Sequence, residues 1–116
     1  MNHPGSIEVI CGSMFCGKTD ELIRRLRRAT IAKQKVQVFK PAIDNRYEEQ
    51  KVASHAGSTF EAITVANSAQ ILIELAEDTS VVGVEEAQFI DDGIVSVIEQ
   101  MANNGIRVIA AGLDQT

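Results

Sequence analysis

Residues 6–19 read Ser6-Ile7-Glu8-Val9-Ile10-Cys11-Gly12-Ser13-Met14-Phe15-Cys16-Gly17-Lys18-Thr19, and three patterns follow one another in that stretch. Ser6 to Cys11 is a short run of β-branched and apolar residues, the composition of a strand. Gly12 to Gly17 is a loop bounded by glycines. From Lys18 to about Lys33 the apolar residues Leu22, Ile23, Leu26 and Ala29 recur at helical spacing, with Arg24, Arg25, Arg27 and Arg28 on the other faces. Strand, loop and helix in immediate succession open an α/β unit. It is also the context in which the pattern G-x-x-x-x-G-K-[ST] carries physical meaning, and Gly12 to Thr19 fit that pattern without mismatch. A chance glycine-rich turn before a helix would share the glycines but not the whole pattern in its proper place. In the functional reading, the glycines let successive backbone N–H groups turn inward on an anion, and the helix N-terminus adds partial positive charge. Lys18 is then expected to reach the β- and γ-phosphates of a nucleotide, and the Thr19 hydroxyl to ligate Mg²⁺.

Outward from this stretch the chain keeps alternating. Val36 to Phe39 reads as a second strand closed by Pro41, which cannot donate to a central ladder. After a polar loop over 44–50, the pieces Lys51 to Ser54 and Thr59 to Ile63 flank Ala56-Gly57-Ser58 and predict a hairpin. Ser68 is a candidate cap for a helix to about Glu77, with Ile71, Leu72 and Leu75 inward. Val81 to Val84 is a buried strand. Asp91 or Asp92 is read as the cap of another helix, which runs to Asn103 and stops at Asn104-Gly105 before a strand at Arg107 to Ala111. Four parallel strands covered by helices on both faces are therefore expected, a single α/β unit over 1–116 with a small β-hairpin insertion.

Glu85 and Glu86 follow the Val81–Val84 strand directly, where open α/β sheets place their ligands. Adjacent glutamates are otherwise commonly solvated surface charge. Beside a phosphate loop, one carboxylate can hold the Mg²⁺ shell and the other can accept the proton of an attacking hydroxyl.

Charge supports a small anionic ligand near the N-terminal third. The formal net charge is -5, yet residues 1–40 carry 8 of the 11 basic residues against Glu8, Asp20 and Glu21, while the remainder carries 3 basic and 13 acidic residues. That balance disfavours general nucleic-acid binding, which depends on cationic side chains. No run approaches the ~20 apolar residues of a membrane span, and no secretory pattern opens the chain, so a cytoplasmic location is expected. Cys11 and Cys16 form no disulfide framework and lack the paired spacing of a structural zinc site. Cys16 reads as a small packing residue, with a reactive thiolate favoured by the helix N-terminus as the alternative; Cys11 reads as core. His55 stands alone in the hairpin region without ligand partners, Phe15 and Phe60 read as packing, and the arginines at 24–28 as a solvated face or a subunit contact.

Taken together, GSMFCGKT, ELIRRLRRA, FKPAIDNRY, SHAG, VEEAQF and AAGLD resemble, in order and at matching intervals, the type II thymidine kinases, across essentially the whole chain. The phosphate loop alone marks a superfamily, and the series is far more selective. The resemblance implies a P-loop NTPase (RecA-like) three-layer sandwich. It implies transfer of the γ-phosphate of ATP to the 5′-hydroxyl of thymidine with Mg²⁺, giving thymidine monophosphate and ADP for DNA precursor salvage. A non-catalytic ATP-binding fragment and another P-loop ATPase are the alternatives.

Carried over by position, Glu86 is the general base, Lys18 and Thr19 handle phosphate and metal, and Asp44 and Arg46 lie near the reacting phosphate, where Arg46 neutralises charge. Met14 and Phe89 line the thymine pocket. The nucleotide site is expected to comprise Gly12, Ser13, Met14, Phe15, Cys16, Gly17, Lys18, Thr19, Asp44, Glu85 and Gln88, with Thr19 and Glu85 on the metal. The chain departs from the family pattern at Glu85, where Asp is usual, and at Cys16, where Ser is usual. It is also expected to stop before the family's four-ligand zinc site and thymidine-covering loop, so that the zinc ligands are absent. Feedback inhibition by thymidine triphosphate and assembly into homotetramers or dimers are family properties.

Overall fold

A computed structural model describes residues 5–10, 18–42, 51–53 and 59–113, with backbone alone for Lys18, for 51–53 and for Thr59. The elements in chain order are β1 (Ser6–Ile10), α1 (Lys18–Ile31), β2 (Val36–Pro41), β3 (Lys51–Ala53), β4 (Thr59–Glu61), β5 (Ile63–Val65), α2 (Ser68–Glu74), β6 (Val81–Val84), a short 3₁₀ turn (Ala87–Phe89), α3 (Ile94–Asn103) and β7 (Arg107–Ala111). Five strands form one sheet in the order β1-β7-β6-β2-β5, and every pairing in it is parallel. β3 and β4 pair antiparallel as a separate hairpin, as the sequence predicts.

Burial on both faces explains why β6 and, after Arg107, β7 are apolar without alternation. Period-two geometry sends Val81 to one side and Val82 to the other. On one side, Leu22, Ile23, Leu26 and Ala29 of α1 pack on Ile10, Val38, Val81, Ile109 and Ala111. On the other, Ile71 of α2 and Ile94, Val97, Ile98 and Met101 of α3 pack on Phe39, Val65, Val82, Val84, Val108 and Ala110. Each such side chain contributes on the order of 1.5–3 kcal/mol by leaving water. Gly83 faces α1, and a methyl group there would stand 2.8 Å from the Leu26 Cδ1, so the absent side chain sets how closely the helix lies on the sheet. Polar ties reinforce that contact. Glu8 of β1 accepts from Arg107 of β7 and from Arg25 of α1 (2.9 Å), while Glu21 accepts from Arg24 and Arg25, each at 2.7 Å. Two members of the expected arginine face are therefore spoken for inside the fold.

Several boundaries differ from the sequence reading. The sheet has five strands, because Ile63, expected to end the hairpin, instead opens a separate strand, Ile63–Val65, paired with Phe39–Pro41. Buried Ala62 separates the two pieces, and a run of β-leaning residues does not reveal where a chain changes sheets. Pro41 belongs to β2 rather than closing it. It lies two residues beyond Phe39, the last to pair with β6, and so faces one neighbouring strand only. α1 ends at Ile31, where Lys33 takes a positive φ of 65° and the Gln34 N–H returns to the Ala29 carbonyl. α2 is capped by Asn67, whose side chain accepts the Gln70 N–H, and stops at Glu74. Its end is closed by Gln37, which takes the Ala76 N–H and the Thr79 hydroxyl and donates to the Glu74 carbonyl. α3 begins at Ile94 behind Gly93, so neither Asp91 nor Asp92 is its N-cap.

Candidate functional site

A parallel sheet directs all its carboxyl ends to one edge, and the register shows which residues meet there. Ile10 of β1 is level with Ala111 of β7, and Val84 of β6 with Ala110, so the residue after Val84 emerges level with the end of β1, one strand away. That residue is Glu85. Its N–H donates to the Phe39 carbonyl at 2.9 Å, which carries the pairing of β6 one step past the strand, and its side chain is only 9% exposed. Strand alternation puts it on the face of Val81 and Gly83, the face that α1 covers. There the Thr19 hydroxyl, on the first turn of α1, donates to the Glu85 Oε2 at 2.8 Å. β7 lies between β1 and β6, so this bond joins the loop-and-helix motif to the acidic motif across an intervening strand.

Glu86 turns the other way. Its φ of 52° and ψ of 48° are left-handed, an arrangement that costs a residue other than glycine about 1 kcal/mol. The reversal takes its side chain out of the sheet's alternation into an exposed position, while its N–H donates to the Glu85 Oε1 at 3.2 Å. Strain of this kind, held in place by its surroundings, is characteristic of functional sites. The 3₁₀ turn that follows is anchored by fully buried Ala87 and closed by the Phe89 N–H on the Glu86 carbonyl at 3.0 Å. Phe89 is 57% exposed. Gln88 lies over Gly112, whose φ of +92° favours glycine; a methyl group there would stand 2.0 Å from the Gln88 Oε1, so the end of that side chain would have to move. The Gly112 N–H in turn donates to the Ile10 carbonyl at 3.1 Å, so Gln88 stands at the joint end of β1 and β7, where the glycine-bounded loop departs.

Thr19, Glu85, Glu86, Gln88 and Phe89 are thus collected at one edge of the sheet. Lys18 is the first residue of α1. Gly12, Ser13, Met14, Phe15, Cys16 and Gly17 of the loop lie outside the described residues, as do Asp44, Arg46, Cys11 and His55. Among the described residues no group of three or more His, Cys, Asp or Glu side chains is gathered to hold a metal ion. The Thr19–Glu85 pair has the chemistry Mg²⁺ asks for, a hydroxyl and a carboxylate, since that ion keeps several waters and takes few protein ligands.

Asp91 and Ser68 are residues the sequence reading placed as helix caps and the structure places elsewhere. Asp91 accepts the Ser68 N–H at 3.0 Å and the Gly93 N–H at 2.9 Å. The Ser68 amide, then its hydroxyl, then the Gly93 amide hold the Asp91 carboxyl below the ordinary carboxylate range. Its position two residues before a glycine is the local signal for such a turn; the contact with Ser68, 23 residues away, has none.

The family model for thymidine kinase matches residues 5–116. The chain is 58% identical over 110 residues to the thymidine kinase of Bacteroides thetaiotaomicron, an alignment that takes in 95% of this chain and 55% of that protein. It is likewise 58% identical over 110 residues to the thymidine kinase of Porphyromonas gingivalis, with 95% and 53% covered. The chain spans about half the length of these curated relatives. With a site-bearing parallel sheet of the expected kind and a family match over nearly its whole length, the chain belongs to the thymidine kinase family.

Proposed function

We propose that the protein carrying this chain is an ATP-dependent thymidine kinase and that residues 1–116 are its nucleotide-binding and phosphoryl-transfer core. The observation that carries this reading is the 2.8 Å bond from Thr19 to Glu85, because it unites the end of the phosphate-loop motif with the acidic strand end at one point. In this reading Gly12 to Gly17 wrap the phosphates with backbone N–H groups and Lys18 reaches the β- and γ-phosphates. Asp44 and Arg46 act beside the transferred group, and Arg46 offsets its charge. Thr19 and Glu85 would hold Mg²⁺, which when bound supplies positive charge to the β- and γ-phosphate oxygens.

Glu86 is the general base. Its exposed carboxylate takes the proton of the thymidine 5′-hydroxyl as that oxygen bonds to the γ-phosphorus. The bond from the γ-phosphorus to the β–γ bridging oxygen breaks, and its electron pair leaves with ADP. Met14 and Phe89 contact the thymine, and the exposed Phe89 ring offers a face for stacking. Gln88 borders the nucleotide. Little covalent work falls to the protein, so alignment of hydroxyl and γ-phosphate supplies most of the rate. The cytoplasmic location expected from the sequence and the homo-oligomeric assembly implied by the resemblance belong to the same proposal; among the described residues no helix is long and apolar enough to cross a membrane.

The test is thymidine-dependent release of ADP from ATP, by this chain and by a protein of the relatives' length containing it. Turnover that requires thymidine supports the reading. ATP hydrolysis indifferent to thymidine would point to a different ATPase, and nucleotide binding without turnover in either form to a binding module.

A further inference from the structure

The stretch from Glu86 to Ile94 has little slack. The Phe89 N–H returns to the Glu86 carbonyl at 3.0 Å, the Ile90 N–H to the Ala87 carbonyl at 3.1 Å, and the Ile94 N–H to the Asp91 carbonyl at 3.2 Å. Near its start, buried Ala87 fixes it to the core. At its far end the Asp91 carboxylate grips the first residue of α2 through the Ser68 N–H, and its other oxygen takes the Gly93 N–H. Ser68 itself is buried, and Gly93 lies close to both side chains: a methyl group on it would stand 2.9 Å from the Ser68 Oγ and 3.3 Å from the Asp91 Oδ1. α3 itself is held on the sheet by Ile94, Val97, Ile98 and Met101. What the grip determines is where the turn bearing Glu86 and Phe89 ends.

We propose that Asp91 is a positioning residue for phosphoryl transfer, which by clamping the α2 N-terminus through Ser68 fixes the turn that presents Glu86 to the accepting hydroxyl and Phe89 to the base. This rests on the reading of Glu86 as the general base. The left-handed backbone of Glu86 makes the clamp consequential, because a residue held in a sparsely populated conformation relaxes when its restraint is released. The Ser68 and Gly93 N–H groups both donate to this carboxylate, so the grip is charge-assisted.

The test uses the full-length protein carrying this chain, with Asp91→Ala, Asp91→Asn and Ser68→Ala. Rates are expressed per ATP-binding site, so that a smaller folded fraction does not count. Loss of about 1 Å in alignment can cost on the order of 100-fold, and a loosened turn is expected to cost about tenfold in kcat for Asp91→Ala. Its KM for thymidine should rise while that for ATP stays, and hydrogen exchange at the Phe89 and Ile90 amides should quicken. Asp91→Asn, which keeps one acceptor oxygen, should fall between, and Ser68→Ala, which keeps the amide donor, should lose least. Unchanged kcat and thymidine KM in a folded Asp91→Ala protein would reduce the contact to a structural tie and overturn the proposal. So would a loss shared equally by the ATP KM. Wild-type protein that lacks thymidine-dependent turnover would instead overturn the kinase reading on which the proposal rests.

Discussion

Glu8, in the middle of β1, and Glu85, just past the end of β6, lie on the same face of one sheet and under the same helix, yet they join different parts of the molecule. Glu8 is met by two guanidinium groups, Arg107 from β7 and Arg25 from α1. Arg107, then Arg25, hold its carboxyl below the ordinary carboxylate range against the opposing effect of burial. The Thr19 hydroxyl and the Glu86 amide both donate to Glu85, and both come from motifs at the carboxyl edge. One carboxylate ties three elements together. The other ties two motifs to each other. In the proposed reading, the carboxylate in mid-strand stabilises the fold and the one at the carboxyl end serves the chemistry.

The comparison is broken most directly at the carboxyl edge. Glu86→Gly is expected to lower kcat on the order of 100-fold or more by removing the base. The same change removes a left-handed glutamate, so thermal stability should hold or rise by up to about 1 kcal/mol. Activity and melting temperature measured on the same preparation check both, and a parallel fall of the two would assign Glu86 to structure. Lys18→Ala belongs beside it: Mg·ATP binding, followed by titration calorimetry, should be lost, and unchanged affinity would refute the phosphate-loop assignment.

At the other position, Glu8→Gln should destabilise by about 1–2 kcal/mol, since hydrogen bonds to charged groups are worth roughly that much and the network is partly shielded. ATP binding should be retained, because Glu8 stands away from the edge. The acid limb of stability sharpens the same point. Glu21 is held at about 2 by Arg24 and then Arg25, and Glu8 is lowered as well. A carboxyl depressed by folding takes its proton more readily unfolded, so its contribution is whole above the unfolded carboxylate range and is lost as pH falls toward about 2. Melting temperature against pH should therefore drop less steeply over that window in Glu8→Gln than in the parent. Gly83→Ala, which crowds the flexible end of Leu26, should cost about 1–2 kcal/mol by urea denaturation. Smallest of all is Arg24→Ala: its guanidinium is 52% exposed, and no measurable change in melting temperature is expected despite the 2.7 Å bond to Glu21.

Much of this was legible in the sequence because the signals are local. Helical spacing of Leu22, Ile23, Leu26 and Ala29 names the face of α1 that is buried, and the apolar run Val81–Val84 names a central strand. Glu85 was legible as an acid at the strand end, while its place on the face α1 covers came from the fold. The strand at Ile63–Val65 was not, because three residues carry too little periodicity to be parted from the hairpin before them. Nor was the inclusion of Pro41, which depends on β6 ending where it does. Asp91 and Asn67 show the same limit: both are short polar residues near helix starts, and which one caps a helix and which one clamps a neighbour depends on what lies across the gap.

From the residues alone came the α/β class, the anion-binding pattern and the acidic pair, since each depends on spacings within a few residues of chain. Strand order, the level at which strand ends meet, the left-handed turn at Glu86 and the grip of Asp91 on Ser68 belong to the folded sheet. They arise only when segments far apart in sequence share space, where one backbone conformation or hydrogen bond is chosen by packing that no local window contains.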